Sequence, residues 1–266
     1  MALTIAHHSG REALTWDDLV EAMTTLEAGT AVGVEYVPEE SRAVAIHEAG
    51  HAAAGHAYLK GAESTRLSIR MRGGALGHHQ ALEKEERFSR FRTEEFARLV
   101  WALGAMAAER VFYGENSNGV GGDVMSVTAQ AAHMVGASAM GPQPFEVKPR
   151  EGETEEEARE RVLERFEKIG LQIVNRTSGG GPFGENPIAS VLGDRDKRVI
   201  VGQLVGQAYV AAHNLVLANR GAVEHIADVL AARRELFGDE LLELLEESKL
   251  TIPEVDLSEE SSWPTM

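Results

Sequence analysis

Apolar and polar positions along this chain fall mostly on a helical period. "TEEFARLVWALGAMAAERVFYG" (93–114) predicts a long apolar helix, with Thr93 as cap, two acids in its first turn and Gly114 just beyond its end. An Ala-rich helix is predicted from Pro38 to about Leu59, and Gly61 punctuates it. Before it, residues 2–28 read as two short helical pieces. Thr15 caps the second, with Asp17 and Asp18 in its first turn, and "GTAVGVEYVP" (29–38) is a linker. Another helix is expected from about Asp123 to Met140, followed by a Pro-containing linker at 141–152. "ETEEEARERVLERFEKIGLQIVNR" is a charged amphipathic helix with Val162, Phe166, Ile169 and Ile173 at helical spacing, and "TSGGGPFGENP" after it is loop. Further helices are expected at roughly 197–220, 222–233 and 238–248, and the acidic tail after Pro253 is expected to fray.

One segment changes period. "STRLSIRMR" (64–72) alternates Leu67, Ile69 and Met71 with Arg66, Ser68, Arg70 and Arg72, as a half-buried strand should. "GGALGHHQAL" supplies a turn and a second short strand, which puts His78 and His79 at an exposed turn. The expected fold class is therefore mainly α (α+β), with a small sheet beside the Ala-rich helix.

Composition narrows the function. With 43% hydrophobic and 26% charged residues, 266 residues suffice for a sizeable core. A formal net charge of −16 argues against nucleic acid or an anionic membrane as partner. There is no cysteine, so a metal must be held by His, Asp or Glu. No run of about 18 apolar residues is present, and "MALTIAHHSGREALTW" lacks the pattern of a signal peptide. The expectation is a soluble, cytoplasmic chain.

The chemistry lies in "AVAIHEAGHAAAGHAYL" (43–59). On a helix, positions four apart differ by about 40° around the axis, so His47 and His51 point the same way and can share one zinc ion. Glu48 sits beside the first ligand, placed to take a proton from a zinc-bound water without entering the coordination sphere. His56 falls five residues past His51, about 140° around the axis, and is expected to be a bystander. A third ligand is still needed. Two carboxylates qualify: Glu109, on the long apolar helix, and Asp123, after the glycine-rich "GVGG". Each also has a structural reading, Glu109 as a hydrogen-bond partner of a ligand imidazole and Asp123 as a helix cap. Spacing does not choose between them.

Several segments together resemble the peptidase domain of the FtsH family of ATP-dependent zinc metalloproteases. "HEAGHA" is that family's form of the zinc motif, and "RMRGGALGHHQAL" is similar to its strand-turn-strand. "GAMAAERVFYGENSNGVGGDVMSVT" aligns without gaps with the family's next conserved stretch, although "SNG" replaces its "TTG". The resemblance places Asp123 on the third zinc ligand and Glu109 on a glutamate that is not a ligand. It implies a zinc endopeptidase acting on unfolded polypeptides, as a hexameric ring coupled to an AAA ATPase module.

Residues 1–29 resemble the last helices of an ATPase lid, yet no G-x-x-x-x-G-K-[ST] phosphate loop is present. The expectation is a fragment of a longer protein tethered to the cytoplasmic face of a membrane, or else a free-standing relative that borrows its unfoldase. The peptidase domain is expected at 30–252, with an atypical insertion at 143–196 and the tail at 253–266. His78 and His79 sit near the active-site strand, where contact with substrate is the alternative to an exposed turn. Rival readings are a non-catalytic oligomerisation or adaptor domain of the same fold, or another zinc hydrolase using Glu109 as ligand.

Overall fold

The computed structural model of the chain describes residues 1–30, 36–73, 75–175 and 187–266. Among the described residues, ten α-helices and three strands run in the order α1 (Ala2–His8), α2 (Trp16–Ala28), α3 (Pro38–Tyr58), β1 (Ala62–Ser68), β2 (His78–Glu83), α4 (Arg92–Tyr113), α5 (Gly121–Ala137), α6 (Glu155–Ile173), α7 (Pro187–Gly193), α8 (Arg195–Ala218), α9 (Arg220–Arg233), β3 (Glu235–Phe237) and α10 (Asp239–Glu247). The fold is mainly helical with one small antiparallel sheet, ordered β2-β1-β3.

Local chemistry sets several of these ends. At α2, Asp18 accepts from the Thr15 backbone N–H (2.7 Å) and is held by Arg11, while the Asp17 side chain lies outside the described residues. Pro38 opens α3, where its missing N–H costs nothing. Thr93 does not cap α4. The cap lies two residues earlier, at Phe91, with Glu94 accepting the Phe91 N–H at 2.7 Å. The carboxylate three residues on stands in for a capping side chain. Most of the "TSGGGPFGENP" loop and part of the 29–38 linker lie outside the described residues.

Helix α3 is apolar nearly all round. Ala45, Ile46, Ala49, Ala52, Ala53 and Ala54 are fully buried, because α4, α9 and the sheet pack on it from different sides. The α3–α4 crossing is backbone on backbone: a Cβ on Gly50 would lie 2.5 Å from the Gly104 carbonyl oxygen. A similar approach joins α6 to α8, where Gly170 and Gly206 meet the backbones of Gly202 and Phe166. Helix α8 is long and apolar enough to cross a membrane by length and composition, but 61% of its apolar window is buried inside the fold. It is a core helix, with Leu204, Val205, Tyr209 and Leu215 fully buried.

The strand reading of 64–72 is half right. Leu67 and Ile69 are buried as their alternation predicts, but β1 ends at Ser68, and Arg66 and Arg72 are only 3% and 1% exposed. Their charges are met by carboxylates from α2 and from the neighbouring strand β3: Arg72 pairs with Glu21 at 2.7 Å and Arg66 with Glu235 at 2.9 Å. The short β3, absent from the sequence reading, completes the sheet on the far side of β1. The tail is docked rather than frayed. Trp263 is buried against Phe166 with ring centroids 5.2 Å apart, Arg165 stacks on its outer face, and its Nε1–H donates to Leu257 O.

Gly104→Ala should separate α3 from α4. The clash with the opposing backbone outweighs the roughly 1 kcal/mol that alanine gains in helix propensity. A net loss of about 1–3 kcal/mol is expected, read as a lower urea midpoint with an unchanged slope.

Candidate metal centre

Helix α3 carries His47 and His51 one turn apart, with ring centroids 5.1 Å apart and planes nearly perpendicular. A short 3-10 turn at Asn118–Val120 feeds α5, whose first turn holds Asp123. Its two carboxylate oxygens each lie 3.3 Å from an imidazole, Oδ2 from His47 Nε2 and Oδ1 from His51 Nε2. One ligand atom from each of the three residues falls within 4.8 Å of the other two. Residues 72 positions apart in sequence thus meet at one point.

The outer nitrogens are fixed by α4. Glu109 Oε1 lies 2.8 Å from His47 Nδ1. The same carboxylate accepts from the Ser117 N–H (2.6 Å) and hydroxyl (2.9 Å); burial opposes its ionisation, but the hydrogen bonds with His47 and Ser117 outweigh it and hold its pKa below the usual range. It is therefore an acceptor, and His47 Nδ1–H donates to it. His51 Nδ1–H donates to the Trp101 carbonyl at 3.0 Å. Both Nε2 atoms are left facing Asp123, as metal-binding histidines require. Glu109 lies on the opposite side of His47 from Asp123, so the geometry gathers His47, His51 and Asp123 and leaves Glu109 as the partner of a ring.

Charge is concentrated here. Burial opposes a charged His47, but hydrogen bonds to Asp123 and Glu109 outweigh it and push the imidazole up to about 10. Burial likewise opposes a charged His51, and Asp123 raises it. Asp123 is itself held well below the usual carboxylate range by the two imidazoles, despite its burial. Burial pushes Glu48 upward; its Oε2 is buried with no hydrogen-bond partner among the described residues. Two imidazole nitrogens and a carboxylate oxygen at the wall of an open cleft of about 950 Å³ fit a zinc ion with a free coordination position.

His56 is exposed at the end of α3 and takes no part. His78 and His79 are not on an exposed turn: both begin β2. His78 lines the cleft. His79 is buried, donating from Nε2 to Ser64 Oγ and accepting the Trp101 indole N–H at Nδ1, each at 2.8 Å. Burial, with His51 and His78 adding, drops its pKa to about 3. Sequence reasoning missed the Trp101 carbonyl, because a backbone acceptor has no residue signature. It also missed Ser117, although a serine that accepts from the N–H two residues on, as here from Gly119, is a recognisable turn former.

Glu109→Gln replaces an acceptor with an amide that cannot satisfy His47 and Ser117 together. Divalent-metal affinity should fall about 10–100-fold, measured by competition with a chelator. Because His47 stays protonated up to about pH 10, metal uptake at pH 7 must displace protons. Calorimetry in buffers of different ionisation heat should show about one to two released per site, and affinity should rise with pH.

Residues 35–173 match the sequence pattern of Peptidase family M41. The chain is 29% identical over 248 residues to the ATP-dependent zinc metalloprotease FtsH of Thermotoga maritima, covering 92% of this chain and 37% of that protein. It is 28% identical over 253 residues to the FtsH of Rubrobacter xylanophilus, with 92% and 35% covered. Against FtsH 2 of Sphaerobacter thermophilus it is 36% identical over 141 residues, covering 53% of this chain and 22% of the relative. The chain thus spans little more than a third of the length of these relatives at most. A match across half the chain, centred on the helices that carry the converging histidines and aspartate, places it: the chain belongs to Peptidase family M41.

Proposed function

We propose that this chain is the proteolytic domain of an FtsH-like ATP-dependent protease, a zinc-dependent endopeptidase in which His47, His51 and Asp123 hold the metal and Glu48 is the general base. The observation that carries this reading is the convergence of both Nε2 atoms on Asp123, with the unpartnered carboxylate oxygen of Glu48 buried beside them. Bound there, zinc supplies a Lewis acid that polarises the scissile carbonyl and acidifies the attacking water.

Glu48 Oε2 takes the proton of that water and returns it to the leaving amine. Burial raises the Glu48 pKa, so this carboxylate holds a proton more readily than an exposed one, which suits the return of the proton to the amine. Glu109 and the Trp101 carbonyl keep the imidazoles turned to the metal. An adaptor with the same fold would leave Glu48 without a purpose. β1 cannot align a substrate by main-chain pairing, because it is bonded on both sides. β2 takes that role: it is an end strand, and its first residues line the cleft.

The substrates are unfolded polypeptides. An AAA ATPase module feeds them in, within a longer protein or as a separate subunit, and α1 and α2 are the end of its lid. The assembly is a hexameric ring working on the cytoplasmic side of a membrane. The names of the relatives, ATP-dependent zinc metalloproteases, support the coupling to ATP.

Glu48→Gln is expected to keep about one zinc per chain by elemental analysis while casein digestion falls at least 10²-fold. Asp123→Ala should instead lose zinc affinity. Undiminished digestion by Glu48→Gln defeats the assignment of the base, and full zinc affinity in Asp123→Ala moves the third ligand elsewhere.

A further inference from the structure

Glu48 is touched from the sheet side by the turn that joins β1 to β2. A Cβ on Gly77 would lie 2.7 Å from Glu48 Oε1 and 2.6 Å from the Ser68 carbonyl. The bare backbone at Gly77 therefore bears on the carboxylate, and any movement of the turn moves the wall against which Glu48 rests.

Three groups outside the sheet grip this turn. Glu21 of α2 makes a two-pronged ion pair with Arg72, at 3.0 and 2.7 Å. Arg72 is 1% exposed, and its N–H and C=O are bonded to Ala75 across the turn, at 3.0 and 2.8 Å. Gly29, where α2 ends at φ +86°, packs on the Gly73 backbone. The Tyr36 hydroxyl donates to the Leu76 carbonyl at 2.7 Å. Among the described residues, Glu21 is the one carboxylate in ion-pair reach of Arg72. Removing its charge leaves a buried guanidinium uncompensated, which the turn can relieve only by shifting Arg72 toward water.

We propose that Glu21, Arg72 and Tyr36 are positioning residues for peptide-bond hydrolysis: through the turn and Gly77 they fix the place of Glu48, so the seating of α2 on the sheet governs the reacting centre. This rests on the peptidase reading above. It makes α2 a lever through which a module attached before it can raise or lower turnover without touching the metal ligands.

The test compares Glu21→Gln and Tyr36→Phe in the 266-residue chain with Arg42→Gln. The last breaks an ion pair between α3 and α9, formed with Glu224 and Asp228, remote from the turn. Turnover of a quenched fluorescent peptide, zinc content and amide exchange of Arg72 and Ala75 in metal-free protein are measured. In both turn variants kcat should fall about tenfold with KM within about twofold, zinc content should hold, and the two amides should exchange about tenfold faster. Arg42→Gln should change none of these.

Wild-type kcat with unchanged exchange in both turn variants overturns the proposal, as does a loss that Arg42→Gln reproduces. The exchange measurement needs neither metal nor substrate. Glu48→Gln separates the two readings. Full activity there defeats the assignment of Glu48 as the base, and no turnover by the zinc-loaded wild type defeats the peptidase reading, whereas an inactive Glu48→Gln beside fully active Glu21→Gln and Tyr36→Phe defeats the positioning alone.

Discussion

Everything at the metal centre hangs on how closely α3 approaches α4. Only where two helices cross without side chains, at Gly50 and Gly104, can a main-chain carbonyl of one reach an imidazole on the other. The same approach brings Glu109 to the far nitrogen of His47. Alanines flank the crossing on both helices, so the interface is filled by methyl groups and backbone. Ring orientation is thus a property of helix packing before it is a property of the histidines themselves.

The second constraint is electrostatic. Glu48, Glu109 and Asp123 stand around two imidazoles at the wall of the cleft, with Glu48 and Glu109 buried. Two buried carboxylates and a third at the cleft wall cannot all be ionised cheaply unless positive charge comes with them. Protons on His47 and His51 supply part of it, and a divalent cation supplies it better. Selection of a cation follows from the donor atoms. With no thiolate in the chain, nitrogen and oxygen must do the work.

Much of this was legible in the sequence, and the unreadable parts share a cause. His47, Glu48 and His51 lie on one helix, so their geometry follows from spacing alone. Asp123 and Glu109 sit on other helices, and residue spacing ranked them equally; only family likeness favoured Asp123. The alternation at 64–72 found part of the strand that runs over 62–68, yet Arg66 and Arg72 were taken for its polar face. A period reports that two faces differ, not that one of them meets water, and here carboxylates from α2 and β3 meet the charges of the polar face. The tail failed for a similar reason. Acidic composition says nothing of a single tryptophan with an aromatic pocket waiting for it.

That tryptophan bears on the order in which the chain is made. Phe166 leaves the ribosome about a hundred residues before Trp263, the ring that packs against it. During synthesis α6 therefore waits with this part of its aromatic face open until the last residues of the chain arrive. Helix α9, which packs on α3, is made before that ring. The tail is thus the last piece of the hydrophobic body to be supplied, a closing seal and not a loose end.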